Sequence, residues 1–288
     1  MKKTVVSIGE ILWDVLPEGK KAGGSSMNVA LNLHKQGINS LFISAMGDDE
    51  NGRQLIKFLN DLQYPTDLIQ VNVLPTSTVL VELDKQQQAT YAIAEPVAWD
   101  KIELTAELIS TVKHADAMVY CSLTCRNETS RNTILTLLTH AKIKIFDLNL
   151  RPPFYTIDTL KSLLQSADIL KVNEHELAYL KNELQLKGSS EEELLKQLGN
   201  VFNIQIVCLT MGEKGAFAWH KNKIFGHSGY AVEVADTVGA GDAFLATFVA
   251  SYLNGYAMEE VLDRACKIGA FVASQNGANP NYGVDILE

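Results

Sequence analysis

Apolar and polar positions along this chain follow two alternating rhythms. Short apolar runs rich in β-branched residues stand at 5–8, 41–44, 117–120, 143–146, 169–172 and 204–209, each with the length of a buried strand. Between them, at 28–36, 52–62, 129–140 and 191–198, apolar residues recur three and four positions apart, the spacing of a helix with one buried face. Strand and helix in steady succession predict an α/β fold with a mostly parallel sheet covered by helices.

From 66 to about 100 the rhythm changes. Thr78-Val-Leu-Val-Glu-Leu and Thr90-Tyr-Ala-Ile-Ala alternate with period two on either side of the polar residues 84–88, which predicts a hairpin without a crossover helix. With residues 11–22 it would form a small second sheet, a lid over a ligand or a clasp between two copies. No internal repeat and no Pro/Gly/Ser linker divides the chain. Residues 1–288 are therefore expected to form one domain, with lid elements at 11–22 and 66–100.

Charge narrows the function. The chain carries 25 Lys and Arg against 34 Asp and Glu, a net charge of −9, so its overall field repels nucleic acid and anionic membrane. An anionic nucleotide must then be held by local donors: backbone N–H groups, helix N-termini and bound cations. Met1-Lys-Lys leads directly into the first strand-like run, and no later segment has bilayer-spanning length, so a cytoplasmic protein with no membrane partner is expected. Cys121, Cys125, Cys208 and Cys266 form neither a disulfide framework nor paired zinc spacing, and are expected to be reduced and mostly buried.

The candidate chemistry lies near the C-terminus. Residues 231–235 read as a strand running into Asp236-Thr237-Val238-Gly239-Ala240-Gly241-Asp242, and 243–253 read as an apolar helix. A Gly-Ala-Gly turn at a helix start lets backbone N–H groups approach a phosphate, and the helix dipole adds partial positive charge there. Asp242 is placed to accept the proton of a substrate hydroxyl while the amides of Gly239, Ala240 and Gly241 stabilise a transferring phosphoryl group. Taken alone, the string also suits a simple capped helix start. A dinucleotide-binding oxidoreductase is disfavoured, because Glu10-Ile-Leu-Trp follows the first strand where that fold needs Gly-x-Gly-x-x-Gly.

The string from Asp236 to Asp242 resembles the Asp-Thr-x-Gly-Ala-Gly-Asp signature of the ribokinase-like carbohydrate kinases, the PfkB family. Ala22-Gly23-Gly24-Ser25-Ser26-Met27-Asn28-Val29-Ala30, followed by Gly37, Gly47-Asp48 and Gly52, is similar to the family's N-terminal segment, except that Ser25-Ser26 stand where the common string has Ala-Pro. The resemblance spans essentially the full chain. It implies a ribokinase-like three-layer fold with a central sheet, flanking helices and a small β-sheet lid, and transfer of phosphate from ATP to a sugar hydroxyl with Asp242 as base.

The same resemblance implies further roles. Gly23, Gly24, Asn28 and Asp14 meet the sugar hydroxyls, and Tyr91 covers the sugar. Asn173, Thr210, Gly212 and Asn276 lie along the nucleotide. Glu176 holds Mg²⁺ through water, and Asp236 is a position for K⁺. A homodimer through the lid is the analogous assembly. Asp147-Leu-Asn149-Leu-Arg151 looks like an element of fructokinases and ketodeoxygluconate kinases, and the Arg151 guanidinium suits a phosphate or an acidic substrate. Val97-Ala-Trp-Asp100 is similar to a string of fructokinases and tips the expected substrate toward D-fructose. Ribokinase, 2-keto-3-deoxygluconate kinase, nucleoside kinase and a non-catalytic sugar-binding sensor are the competing readings. An intact Asp242 and Gly-Ala-Gly loop argue against the sensor.

Overall fold

Two β-sheets and their helices account for most of the chain in a computed structural model, which describes residues 2–16, 19–83, 89–283 and 286, with backbone alone at 81–83 and 89–91. The strands are β1 (Thr4–Ile8), β2 (Leu12–Leu16), β3 (Gly19–Gly23), β4 (Asn39–Gly47), β5 (Ile69–Asn72), β6 (Ser77–Leu83), β7 (Ala89–Ile93), β8 (Ala117–Cys121), β9 (Lys144–Asp147), β10 (Ile169–Asn173), β11 (Ile206–Thr210), β12 (Ala216–His220) and β13 (Lys223–His227). The helices are α1 (Ser25–Lys35), α2 (Glu50–Asp61), α3 (Ala106–His114), α4 (Glu128–Leu138), α5 (Ile157–Ser166), α6 (Glu174–Glu183), α7 (Glu191–Phe202), α8 (Ala240–Leu253) and α9 (Met258–Ala273).

The main sheet has the order β13-β12-β11-β10-β9-β8-β1-β4-β5. Its strands from β11 to β5 pair in parallel, and β12 and β13 extend it antiparallel. Alternate residues feed different cores: Val6 and Ile8 of β1 join Tyr120 and Phe146, whereas Val5 joins Val29 and Phe248. Both faces are covered, as a parallel sheet requires. Helix α8 is apolar almost all round, with 243–251 buried, because it packs between the sheet, α1 and α9.

Chain order runs outward from β1 toward β5 on one side and toward β13 on the other, so it reverses between β1 and β8. Loops leaving the C-terminal ends of two such strands diverge and open a crevice, the usual ligand position in open α/β sheets. Gly9 and Glu10 follow β1 there, and Ser122 to Thr124 follow β8.

The second sheet has the order β3-β2-β6-β7 and uses less of 66–100 than the alternation suggests. Strand β5 pairs with β4 at the edge of the main sheet, and residues 98–101 form a 3₁₀ turn whose Ala98 and Trp99 are buried in the main core. The turn expected at 84–88 lies outside the described residues.

The strand expected at 231–235 is not formed. Val232 and Val234 are exposed, and the N–H groups of Ala235 and Asp236 donate to the carbonyl of Ala273 at the end of α9. The segment is thus tied to a helix end and does not join a sheet. All four cysteines are free and buried, and no helix among the described residues is long and apolar enough to cross a membrane.

The Val97-Ala-Trp-Asp100 string serves the core. Arg126 donates from Nε and Nη2 to the two oxygens of Asp100 at 2.7 and 2.8 Å, and its guanidinium carbon lies 4.1 Å from the Trp99 ring centre. Both charged side chains are almost fully buried. Arg126→Ala leaves a buried, unpaired carboxylate, so it should destabilise the fold by about 3–5 kcal/mol, read from the urea unfolding midpoint.

Candidate active site

Asp242 stands where two helix N-termini meet. Gly239 precedes α8 at φ 79°, a left-handed conformation, and a Cβ there would lie 2.5 Å from the Cβ of Ala278. This sharp entry places Asp242 in the first turn of α8. Within the turn, the N–H of Ala240 donates to the Thr237 carbonyl at 3.3 Å, whereas those of Gly239, Gly241 and Asp242 have no acceptor among the described residues. The free donors of the expected anion cradle therefore include Asp242's own amide, with Ala240's already engaged.

Helix α1 arrives from the other end of the chain. Its N-cap, Gly24, has φ 111°, and a Cβ there would stand 2.4 Å from the carbonyl oxygen of Glu10. Only glycine lets the helix start directly against the end of β1. From that start, Ser25 Oγ donates to Asp242 Oδ1 at 2.7 Å and Asn28 Nδ2 donates to Oδ2 at 2.8 Å. Asn28 is fixed in turn, because its Oδ1 accepts from Asn279 Nδ2 at 2.7 Å. Burial pushes the Asp242 pKa upward, and the hydrogen bonds from Ser25 and Asn28 oppose that shift.

A second charged group lies below. Lys171 Nζ donates to both oxygens of Asp147, at 2.9 and 3.2 Å, and a Cβ on Gly241 would stand 3.4 Å from the same nitrogen. Lys171 is 7% exposed and Asp147 2%. Burial works against the lysine's charge, but Asp147, Glu176 and Asp242 together hold its pKa above the ordinary lysine value. The lysine sits in the middle of β10 and the aspartate at the C-terminal end of β9, under the first turn of α8 that carries Asp242.

Asn173 and Glu176 form a reciprocal cap on α6. Glu176 N donates to Asn173 Oδ1 and Asn173 N donates to Glu176 Oε2, both at 2.9 Å, while Glu176 Oε1 accepts from Leu150 N at 2.9 Å. Thr210 is the register partner of Asn173 on β11, and Gly212 opens the turn that follows. These three positions thus share one edge of the sheet. Asp236 accepts from the N–H groups of Val238 at 3.0 Å and Gly277 at 3.1 Å, tying the anion turn to the turn after α9. Among the described residues no group of three or more His, Cys, Asp or Glu side chains is arranged to hold a metal ion.

On the other side, Asp14 projects from β2, and a Cβ on Gly23 would stand 2.3 Å from its Oδ2. Burial and the nearby Asp236 carboxylate raise its pKa to about 6, against the pull of Lys21, its cross-strand partner. The remaining expected residues stand apart. Arg151 is exposed and donates to the carbonyl of Leu150 at 2.9 Å. Asn276 is exposed on the turn after α9. Tyr91 lies on β7 with its side chain outside the described residues.

Sequence reasoning missed Ser25, Lys171 and Asn279. Lys171 carried a signal, a lone charge inside the apolar run Ile169-Leu-Lys-Val172. Ser25 and Asn279 carried none, since their partners Asp242 and Asn28 lie 217 and 251 positions away.

Comparison with known proteins gives a consistent result. Residues 10–282 match the family described as pfkB family carbohydrate kinase. The chain is similar to an ATP-dependent 6-phosphofructokinase of Thermoanaerobacterium thermosaccharolyticum, 27% identical over 297 residues that cover 96% of this chain and 90% of that protein. A crystal structure of fructokinase from Vibrio cholerae O395 in its fructose-, ADP- and calcium-bound form superposes with a TM-score of 0.80 at 27% identity, covering 96% of this chain and 94% of that one. Ribokinase from Thermotoga maritima, at 22% identity, shares the fold with a TM-score of 0.81 over 100% of this chain and 98% of its own.

The entry into α8 is open to a direct test. Gly239→Ala forces a side chain into a left-handed conformation and against Ala278. It should destabilise the fold by about 1–3 kcal/mol, seen as a lower thermal midpoint.

Proposed function

The chain belongs to the pfkB family of carbohydrate kinases, and from that premise we propose that it transfers the γ-phosphoryl group of ATP to a hydroxyl of D-fructose. The observation that carries the reading is the Asp242 carboxylate, held by Ser25 and Asn28 at the junction of two helix N-termini beside free backbone N–H groups. In this mechanism the substrate hydroxyl gives its proton to Asp242. Its oxygen forms the new O–P bond as the bond from the β,γ-bridging oxygen to the γ-phosphorus breaks, and ADP leaves with that electron pair. The N–H groups at the start of α8 take up charge on the equatorial oxygens, with the Lys171 ammonium beneath the loop.

The other residues divide by side. Asp14, Gly23, Gly24 and Asn28 face the sugar. Asn173, Thr210, Gly212 and Asn276 follow the nucleotide, and Arg151 serves an anionic group of either substrate. Mg²⁺, when bound with the nucleotide, neutralises phosphate charge. The residues fit such an ion in outer-sphere form, because Glu176 already accepts two backbone N–H groups yet keeps lone pairs for metal-bound water. Asp236 is in the same position with respect to K⁺, since each of its oxygens accepts one N–H. A second copy would dock on the outer face of the second sheet, where Leu80 is half exposed.

Fructose is favoured by the fructose-bound relative, and fructose 6-phosphate by the similarity to a 6-phosphofructokinase. An ADP-release assay across fructose, fructose 6-phosphate, ribose, 2-keto-3-deoxygluconate and adenosine tests the choice. Fructose should give the highest kcat/KM. Sugar binding without ADP release would leave only a sensor.

Two variants test the roles. Asp242→Asn should keep nucleotide affinity and lower kcat by ~100-fold or more; near-normal turnover would remove Asp242 as the base. Asp14 loses its charge below about pH 6 and accepts hydrogen bonds more weakly there. The sugar KM should therefore rise as pH falls through 6 and stay flat over the same range in Asp14→Asn, which steady-state kinetics from pH 5 to 8 will show.

A further inference from the structure

The contact between Ser25 and Asp242 has a consequence for how the base works, and it rests on the reading of Asp242 as that base. A carboxylate that must meet a substrate hydroxyl has two rotatable bonds, and one hydrogen bond leaves it free to swing. Here two donors from one helix face, three residues apart, take one oxygen each: Ser25 Oγ on Oδ1 and Asn28 Nδ2 on Oδ2. The grip is rigid at its root, since Gly24 presses the start of α1 against Glu10 and Asn279 fixes the amide of Asn28.

Ser26 continues the pattern beneath. Its Oγ donates to Glu10 Oε2 at 3.1 Å, an oxygen that also accepts from Thr124 Oγ1 at 2.7 Å. Glu10 is 1% exposed. The two serines therefore join the first turn of α1 to two carboxylates, one at the end of β1 and one on α8. That makes the position of Ser25 a property of the scaffold.

We propose that Ser25 is a positioning residue for phosphoryl transfer, which orients the Asp242 carboxylate and keeps it as a ready proton acceptor through its hydroxyl hydrogen bond. Ser25 does not itself take the substrate proton. Its O–H is committed to Asp242 Oδ1, and the lone pairs left on that oxygen and on Oδ2 are the ones a sugar hydroxyl meets. The charged groups acting on Asp242 from the neighbouring strands are Asp147 on β9 and Lys171 on β10, whereas α1 offers its oxygens only neutral donors. Loss of the Ser25 hydroxyl therefore removes stabilisation of the ionised form and leaves the opposing burial in place.

The test is the pH profile of kcat at saturating sugar and Mg²⁺·ATP. It reports groups in the ternary complex, so the effect of Asp14 on sugar binding does not enter. Ser25→Ala should move the acid limb to higher pH by about one unit, the scale of one charge-assisted hydrogen bond. Ser25→Thr, which keeps the donor, should leave the limb where it is. Ser25→Gly, which also lacks the hydroxyl, replaces Ser25→Ala should that variant fail to fold, with the same shift expected. An acid limb that stays in place in the hydroxyl-free variant overturns the proposal, whatever happens to the plateau. Asp242→Asn measured in parallel separates the two ideas: near-normal turnover there removes the base itself, whereas an inactive Asp242→Asn with an unmoved Ser25→Ala limb removes only the role of Ser25.

Discussion

The carboxylate of Asp242 is where the two ends of this chain are joined, and most of the site follows from the need to keep it there. An ionised group with little access to water is costly unless each oxygen is satisfied. Ser25 and Asn28 satisfy them from α1, and two helix N-termini contribute partial positive charge to the same point. Those donors must not wander. Gly24 sets where α1 begins, and residues after α9 hold its length: Asn279 reaches Asn28, Tyr282 reaches Asn32, and Lys35 donates to the carbonyl of Pro280. A segment near the C-terminus thus orients the side chains of the first helix.

Below this junction the balance of charge is negative. Asp147, Glu176 and Asp242 act on a single buried lysine, Lys171. The lysine is matched by Asp147 alone, through two hydrogen bonds, so an incoming polyphosphate adds negative charge where the excess is already negative. Backbone N–H groups at the start of α8 offset part of it. Capping α6 and holding the Leu150 amide fix the position of Glu176 without exhausting its lone pairs.

The parallel sheet and its covering helices were legible in the sequence because burial on both faces writes continuous apolar runs, and one-sided burial writes a helical period. The Asp236 to Asp242 string was legible because a helix entered through glycine leaves a local signature. The failures have physical causes too. Val232 and Val234 alternate like a strand, but alternation records only a preference, and the backbone that follows them bonds to the end of α9. Trp99 and Asp100 are not a failure of that kind, since their likeness to fructokinases stands beside their packing against Arg126 and the core. Ser25 departs from the common string, and in the structure it is a direct partner of Asp242. A hydroxyl carries no trace of a partner more than two hundred residues away.

The second sheet is tied to this junction by its anchoring and by its charge. Strand β2 is fastened to the main body by Trp13, whose Nε1 donates to the Asn51 carbonyl at 3.0 Å, and β3 by Lys20, whose Nζ reaches Asn51 Oδ1 at 2.6 Å. Asp49 caps α2 and also accepts from the Thr76 amide at the threshold of β6. The sheet is therefore anchored at the N-terminus of α2, which sets where Asp14 sits. From there Asp14 feels Asp236 strongly enough that burial and this like charge bring its pKa to about 6. Two acidic groups facing each other from the second sheet and the anion turn repel when both are ionised. That repulsion falls as Asp14 takes up a proton, so the approach of the second sheet to the turn depends on the charge the two groups carry between them.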